Sequence, residues 1–267
     1  MKTGITAHMI VKNEDQWVWY AVQSVLPYVD TFLVIDTGST DHTLECLQSI
    51  HSPKLRITQH QISSPSELTE LRNEQIRQTK TPWLWIVDGD EVYPKLTALE
   101  IVTATAHANV HGIVVRRHDL LGDIYHRQSE SVGSYSILSQ TGHLVTRLIH
   151  ISSFPGLHVE RPYPDEAYFD AQNNSIHEHD DSFWYVTEHY LYHAMYLRRS
   201  SLGSNLPMFN RSKYKVEKGL SVPGPVPPVF SLPRPSFVPD ALTRRSTSYE
   251  LAAAILTPIK ELKRKIL

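Results

Sequence analysis

Cysteine is nearly absent. Cys46 stands alone, which excludes an intramolecular disulfide, a cysteine-built structural zinc cluster and a CxxC redox pair. It falls in a helical pattern and reads as a small core hydrophobe. Neither sign of charge dominates: 26 Lys and Arg stand against 28 Asp and Glu, so no global basic field invites a nucleic acid. Long hydrophobic runs are missing too. No apolar stretch approaches the roughly 18 residues of a membrane span, so any membrane contact is expected to be peripheral. A short apolar stretch after Gly4 soon meets Asn13, Glu14 and Asp15, too brief and too early charged for a secretory leader. The expected location is therefore the cytoplasm, or the inner face of a membrane. No HExxH occurs, which removes the signature of a helical zinc hydrolase.

What remains is a chain of 267 residues, 41% hydrophobic and 20% charged, the composition of a soluble globular protein. Its length suits one sizeable α/β domain or two small ones. Over about the first 120 residues, strand-like and helix-like patterns alternate. Strands are expected near 5–11, 31–36, 55–60, 83–88 and 112–118, and helices near 14–26, 41–50 and 65–80. The third helix has the clearest start, because Ser64, Pro65, Ser66 and Glu67 form an S-x-x-E capping box with proline at the first helical position. Strands joined by helices imply right-handed crossovers and a largely parallel sheet.

The region from about 129 to 200 is irregular and rich in Ser, His, Tyr and Pro, and is expected to hold long loops and a small mixed sheet. The proline-rich stretch Val222 to Pro239 excludes helix and central strand and reads as an extended linker or strap. Two helical patterns follow, 248–256 and 258–267. Ile255, Ile259, Leu262 and Ile266 share one face there, with Lys260, Lys263, Arg264 and Lys265 around the other. The expected division is thus a main unit over 1–215, parted at about residue 120, then a proline-rich segment 216–245 and an amphipathic helix 246–267.

In open parallel α/β sheets, ligands bind beyond the carboxyl ends of the strands. Acids sit at three of those ends: Glu14 after Lys12 and Asn13, Asp36 and Asp41 around Thr37, Gly38, Ser39 and Thr40, and the run Asp88, Gly89, Asp90, Glu91. Converging acids that include an Asp-x-Asp suit Mg²⁺ or Mn²⁺, which take one or two carboxylates plus phosphate oxygens.

The segments Met9 to Glu14, Val34 to Thr43, Arg72 with Asn73, and Trp85 to Glu91 resemble, in order and spacing, the family-2 glycosyltransferases of the GT-A fold. The resemblance covers about the first 120 residues well, the region to about 200 loosely and the tail hardly at all. It implies a Rossmann-like, mostly parallel sheet flanked by helices, with 1–215 as the catalytic unit, its nucleotide-sugar half about 1–120 and its small irregular acceptor half about 121–215. By the same resemblance Val11, Asn13 and Glu14 touch the base and ribose of a nucleotide sugar, Asp36 accepts from the base, and Arg72 lies near the base or phosphates. Asp88 faces the ribose and metal, and Asp90 binds the metal. A UDP- or GDP-class donor and a Mg²⁺ or Mn²⁺ cofactor follow. Each residue also has a plainer reading: Asp36 in an Asx turn, Gly38 and Ser39 in a turn and cap, Glu14 as a first-turn acid, and Arg72 on an exposed helix face.

An inverting transfer needs a carboxylate to take the acceptor proton. Arg147, Leu148 and Ile149 with His177 and Glu178 resemble the family's late motifs, which makes Glu178 the first candidate, with Asp165 or Glu166 as rivals. Some GT-A enzymes complete their metal site with a late histidine; His177, His179 and His193 qualify, and His193 is best placed by order. His177 and His179 are expected to face one way, while His8, His107 and His118 read as structural. Phe183, Trp184, Tyr185, Tyr190, Tyr192 and Tyr196 suit core or a sugar-stacking platform. The tail helix suits an anionic membrane or packing back on the body.

The activity implied is a metal-dependent inverting glycosyltransferase, hexosyl in type, acting on a glycan or lipid-linked acceptor in cell-surface polysaccharide, lipopolysaccharide or glycolipid synthesis. A metal-dependent nucleotide-sugar hydrolase or nucleotidyltransferase and an inactive nucleotide-sugar-binding subunit are the alternatives.

Overall fold

The computed structural model describes residues 3–197 and 215–266. The stretch 198–214, inside the expected acceptor half, lies outside the described residues. In chain order the first half runs β1 (Ile5–Val11), α1 (Val18–Val25), β2 (Thr31–Asp36), α2 (Thr43–Gln48), β3 (Leu55–Gln59), α3 (Pro65–Gln78), β4 (Trp83–Ile86), β5 (Glu91–Val92) and α4 (Lys95–Ala104). There follow β6 (Gly112–Leu121), β7 (Asp123–Arg127), β8 (Tyr135–Ile137), β9 (Gln140–Gly142), β10 (Leu144–His150), β11 (His158–Glu160), β12 (Ala167–Phe169), β13 (Trp184–His193), β14 (Leu220–Ser221) and α5 (Thr247–Ile266).

Strands β3, β2, β1 and β4 are neighbours and parallel. β1 is buried on both faces, with Ile5, Ala7, Met9 and Val11 on one and Thr6, His8 and Ile10 on the other, as befits a central parallel strand between helices. The strands and helices expected from the alternating pattern are all present, and α3 starts at Pro65. The expected reciprocal capping box is not formed: the Ser64 side chain caps no amide, and the Glu67 carboxylate accepts from the Ser63 amide and the Ser64 hydroxyl instead.

The second half differs from its expectation. β10 enters the main sheet antiparallel between β4 and β6, and β13 runs parallel to β6 over ten residues. A bulge between Val186 and Tyr190, where Glu188 and His189 are exposed, interrupts the alternation that would have marked β13. Among the described residues, β8 with β9 and β11 with β12 form separate two-stranded ribbons. Helix α4 carries no apolar stripe that would mark it in the sequence: its buried side is Thr97, Ala98, Ile101 and Ala104, while Leu96 and Leu99 face solvent.

Helix α1 is buried along all but Gln23. The proline-rich stretch lies against it: Phe230 is fully buried with its ring centroid 5.5 Å from that of Tyr20, and the Tyr20 hydroxyl donates to the Pro239 carbonyl at 2.7 Å. Burying a side chain like Phe230 stabilises by roughly 1.5–3 kcal/mol. Cys46 is a core residue, its thiol pushed up to about 12 by burial and the neighbouring acids. The two tail helices expected around Pro258 are one continuous helix, α5. No helix among the described residues is long and apolar enough to cross a membrane.

Candidate active site

The carboxyl ends of β1 and β4, with β6, β10 and the loop before β12, enclose a cleft of about 800 Å³. The turn after β1 is knitted to the turn after β2. Asn13, in the left-handed region at φ 54°, donates its amide to Ser39 Oγ (2.9 Å) and accepts at its side-chain Oδ1 from the Thr40 amide (2.8 Å). The Glu14 amide donates to Thr43 Oγ1 at 2.7 Å. Gly89 lets the Asp88–Glu91 loop approach this turn, since a Cβ there would lie 3.0 Å from Val11 Cγ2 and 3.2 Å from Glu14 Cγ.

Val11, Glu14, Arg72, Asp88, Asp90 and His193 all line the cleft. Three other expected residues do not. The Asp36 carboxylate accepts from the Gly38 and Ser39 amides at 3.1 and 3.0 Å and from the Ser39 hydroxyl, the Asx-turn role that its sequence position also allowed. Asn13 is spent on the loop-to-loop bonds. Glu178 is exposed on a one-turn 3-10 helix, and its neighbour His177 lines the cleft instead. The expected pairing of His177 with His179 also fails, because that turn is not a strand: His177 bonds Thr146 Oγ1 at 2.7 Å, while His179 turns to Asp170 at 3.2 Å.

Of the carboxylates expected as the base, the one that does line the cleft is Glu166, bound to Arg72 Nε at 2.9 Å with both side chains mostly buried. Of the aromatic set in 183–196, none lines the cleft; Trp184, Tyr192 and Tyr196 are buried, and Tyr190 stacks on His118 at 4.2 Å. Tyr135, Tyr163 and Tyr168 line it instead.

Arg147 organises the Asp-x-Asp loop. Its Nη2 lies 2.5 Å from Asp88 Oδ2 and 2.6 Å from Glu91 Oε1. Glu91 is fully buried and also accepts from the Tyr93 hydroxyl at 3.2 Å, so the third acid of the motif serves the loop's shape. Burial opposes charge on Asp88, but the Arg147 and Arg72 guanidiniums outweigh it and hold Asp88 below the usual carboxylate range. Burial pushes Asp90 up to about 6, the Asp88 and Glu91 carboxylates add to that rise, and His193 opposes it.

His193 faces Asp90, its Nε2 3.5 Å from Asp90 Oδ2. Its Nδ1 lies 2.9 Å from Asp119 Oδ1, and Asp119 is its register partner across the parallel pair β6 and β13. Burial works against a charged His193, yet Asp90 and the bond to Asp119 raise it above the ordinary histidine value. Arg117 Nε, 3.1 Å away, holds Asp119 in turn.

Among the described residues, no group of three or more His, Cys, Asp or Glu side chains is gathered as a metal cage. Asp88, the third ligand of the expected set, is turned to Arg147. Asp90 and His193 form a pair of donors at the cleft wall, which fits a cation that takes few protein ligands and completes its shell with phosphate oxygens and water. Arg147, Glu91, Asp119 and Glu166 were the members that sequence reasoning missed or ranked second. The Arg147 segment was visible as a motif, whereas nothing local marks Asp119.

The family model described as glycosyl transferase family 2 matches residues 6–158. No curated protein matches the chain. Among solved structures, an S. aureus TarS fragment in complex with UDP-GlcNAc is 15% identical, covering 56% of this chain and 45% of that one at a TM-score of 0.42. Glucosyl-3-phosphoglycerate synthase of Mycobacterium tuberculosis in complex with Mn²⁺ and UDP-glucose is 17% identical, covering 41% of this chain and 42% of that one at a TM-score of 0.33. The match spans less than half the length of each of these chains.

Proposed function

The chain belongs to glycosyl transferase family 2, and from that premise we propose that it is an inverting, hexosyl-type glycosyltransferase using a UDP- or GDP-class sugar. The observation that carries this reading is the convergence, on one cleft, of Asp88, Asp90 and His193 with the cationic Arg72 and Arg147 and the carboxylate of Glu166.

In this reading Val11, Glu14 and the neighbouring Lys12 wall the nucleoside, while Asp36 and Asn13 shape the turns that present them. Asp90 and His193 would hold Mg²⁺ or Mn²⁺, which supplies Lewis-acid stabilisation of the departing diphosphate. Asp88 and Arg147 stand beside the same phosphates, and Arg72 adds a second guanidinium where negative charge develops. Glu166 replaces Glu178 as the base. It takes the proton of the acceptor hydroxyl as that oxygen bonds the anomeric carbon and the carbon–phosphate-oxygen bond breaks on the opposite face. Arg72 positions Glu166 for this step. A glycan or lipid-linked acceptor of cell-surface polysaccharide, lipopolysaccharide or glycolipid synthesis suits a cleft with Tyr135, Tyr163 and Tyr168 on its walls, and a cytoplasmic enzyme working at a membrane surface fits such an acceptor.

The test is calorimetric titration with UDP, GDP and their sugars, with Mn²⁺ and after chelation, on the native chain and on Asp90→Asn. Metal-dependent binding of one nucleotide, lost in Asp90→Asn while the melting temperature holds, is the expected result. Full nucleotide binding and turnover by Asp90→Asn would overturn the assignment. Release of free sugar with no transfer to any acceptor would instead favour the hydrolase.

A further inference from the structure

Helix α5 docks on the body through its polar side and turns its apolar stripe outward. Its buried residues are Tyr249 and Ala253. Further along the same side, Arg264 Nη2 lies 2.7 and 2.8 Å from the two Glu217 carboxylate oxygens, and Lys260 Nζ lies 3.5 Å from one of them. The opposite side carries Leu251, Ile255, Ile259, Leu262 and Ile266 at steps of four and three residues, exposed by 64, 67, 59, 60 and 75%. A core-facing helix would bury that stripe. Here the charge pairs to Glu217 fix the rotation of the helix, so that the stripe faces away from the body.

The charges around the stripe are sorted. At 100° per residue, Lys263 falls along one edge and Lys265 along the other, while Glu250 and Glu261 fall towards the far side. The stripe is about 23 Å long at 1.5 Å per residue. An apolar face edged by lysines and cleared of acids matches a surface that is apolar below and anionic above, because each lysine stem can lie on the apolar boundary with its ammonium among the headgroups. A second copy of the helix offers those lysines no acid on the edges of its own stripe.

We propose that this face of α5 seats on an anionic lipid surface, with the helix lying in the plane of the headgroups. The seat gives a transferase access to lipid-linked acceptors, and in that purpose it rests on the transferase reading; the binding itself does not. The five apolar residues of the outer face and the two lysines then set the affinity, and none of them lines the cleft.

The experiment is co-sedimentation of the full chain with vesicles of phosphatidylcholine alone and of phosphatidylcholine with phosphatidylserine, at low and high salt, alongside its mass in solution by light scattering. Binding to the anionic vesicles that weakens with salt is expected. It should be lost in Ile255→Ser/Ile259→Ser/Leu262→Ser and fall about fivefold for each of Lys263→Gln and Lys265→Gln. Because the three apolar positions are exposed, the triple variant should keep its melting temperature and its nucleotide binding. No sedimentation with anionic vesicles would overturn the proposal, as would sedimentation that the triple variant retains. A dimer in solution that the triple variant dissolves would overturn it in favour of a second copy. Failure of nucleotide binding with vesicle binding intact would refute the transferase reading alone.

Discussion

Replacing Arg147 by Met tests how the Asp-x-Asp loop is held. The guanidinium is mostly buried and bridges Asp88 and Glu91 at 2.5 and 2.6 Å. Met keeps much of the apolar stem and removes the charge, so a fully buried Glu91 carboxylate and a 40% exposed Asp88 side chain face each other without a cation. Breaking a buried pair in this way typically costs about 3–5 kcal/mol. Asp88 keeps partial access to water, which argues for the lower half of that range. Urea unfolding at pH 7 measures it, as a fall in midpoint at unchanged slope. The loss should shrink as the pH is lowered into the range where carboxylates protonate, since a neutral acid no longer needs the partner. In the double variant Arg147→Met/Glu91→Gln, part of the stability should return, because the most buried charge has gone. A loss under about 1 kcal/mol for Arg147→Met, set against the usual cost of breaking such a pair, or no recovery in the double variant, would refute the account of Arg147 as the organiser of this loop.

Three further outcomes follow from other parts of the molecule. Asp119→Asn should lower Mn²⁺ affinity, read by calorimetry with UDP present, by about 10- to 100-fold, because the bond that orients His193 is weakened; unchanged affinity would remove Asp119 from the site. His8 is buried against Thr79 and pushed down to about 3 by burial, with Arg72 adding to it. The unfolded chain therefore binds its proton first, so stability should be complete above about pH 6.5 and fall as the pH drops towards 3, by an amount on the order of 5 kcal/mol at most. His8→Gln should flatten that fall, and an identical pH profile would refute it. A Cβ on Gly112 would lie 2.2 Å from Trp184 Cζ3, so Gly112→Ala should cost about 1–3 kcal/mol or more in thermal unfolding, and Trp184→Leu in the same chain should restore part of it.

The first 120 residues were legible because their signals are local. β1 and β2 end where their apolar runs meet Lys12 and Thr37, and α3 carries an ordinary start signal in Pro65. The acids at the ends of those strands were visible for the same reason: a strand end is a position in the sequence. Whether such an acid faces a ligand or its own loop is not. Asp36 and Asn13 turned inward to bond amides two to 27 residues away, a choice that depends on how two separate turns meet.

The sequence by itself determined the α/β alternation, the family, the Asp-x-Asp loop and the amphipathic character of the tail, because each is written in neighbouring residues. Tertiary structure alone decided the rest. It put Glu166 rather than Glu178 on the cleft, set Asp119 beside His193 across two strands 74 residues apart in sequence, and drew Arg147 onto Asp88 and Glu91. It also rotated α5 so that its lysine and arginine meet Glu217 and its apolar stripe faces outward. These contacts join residues that no local pattern relates, and they form only where strand order and register bring distant side chains within a few ångströms of each other.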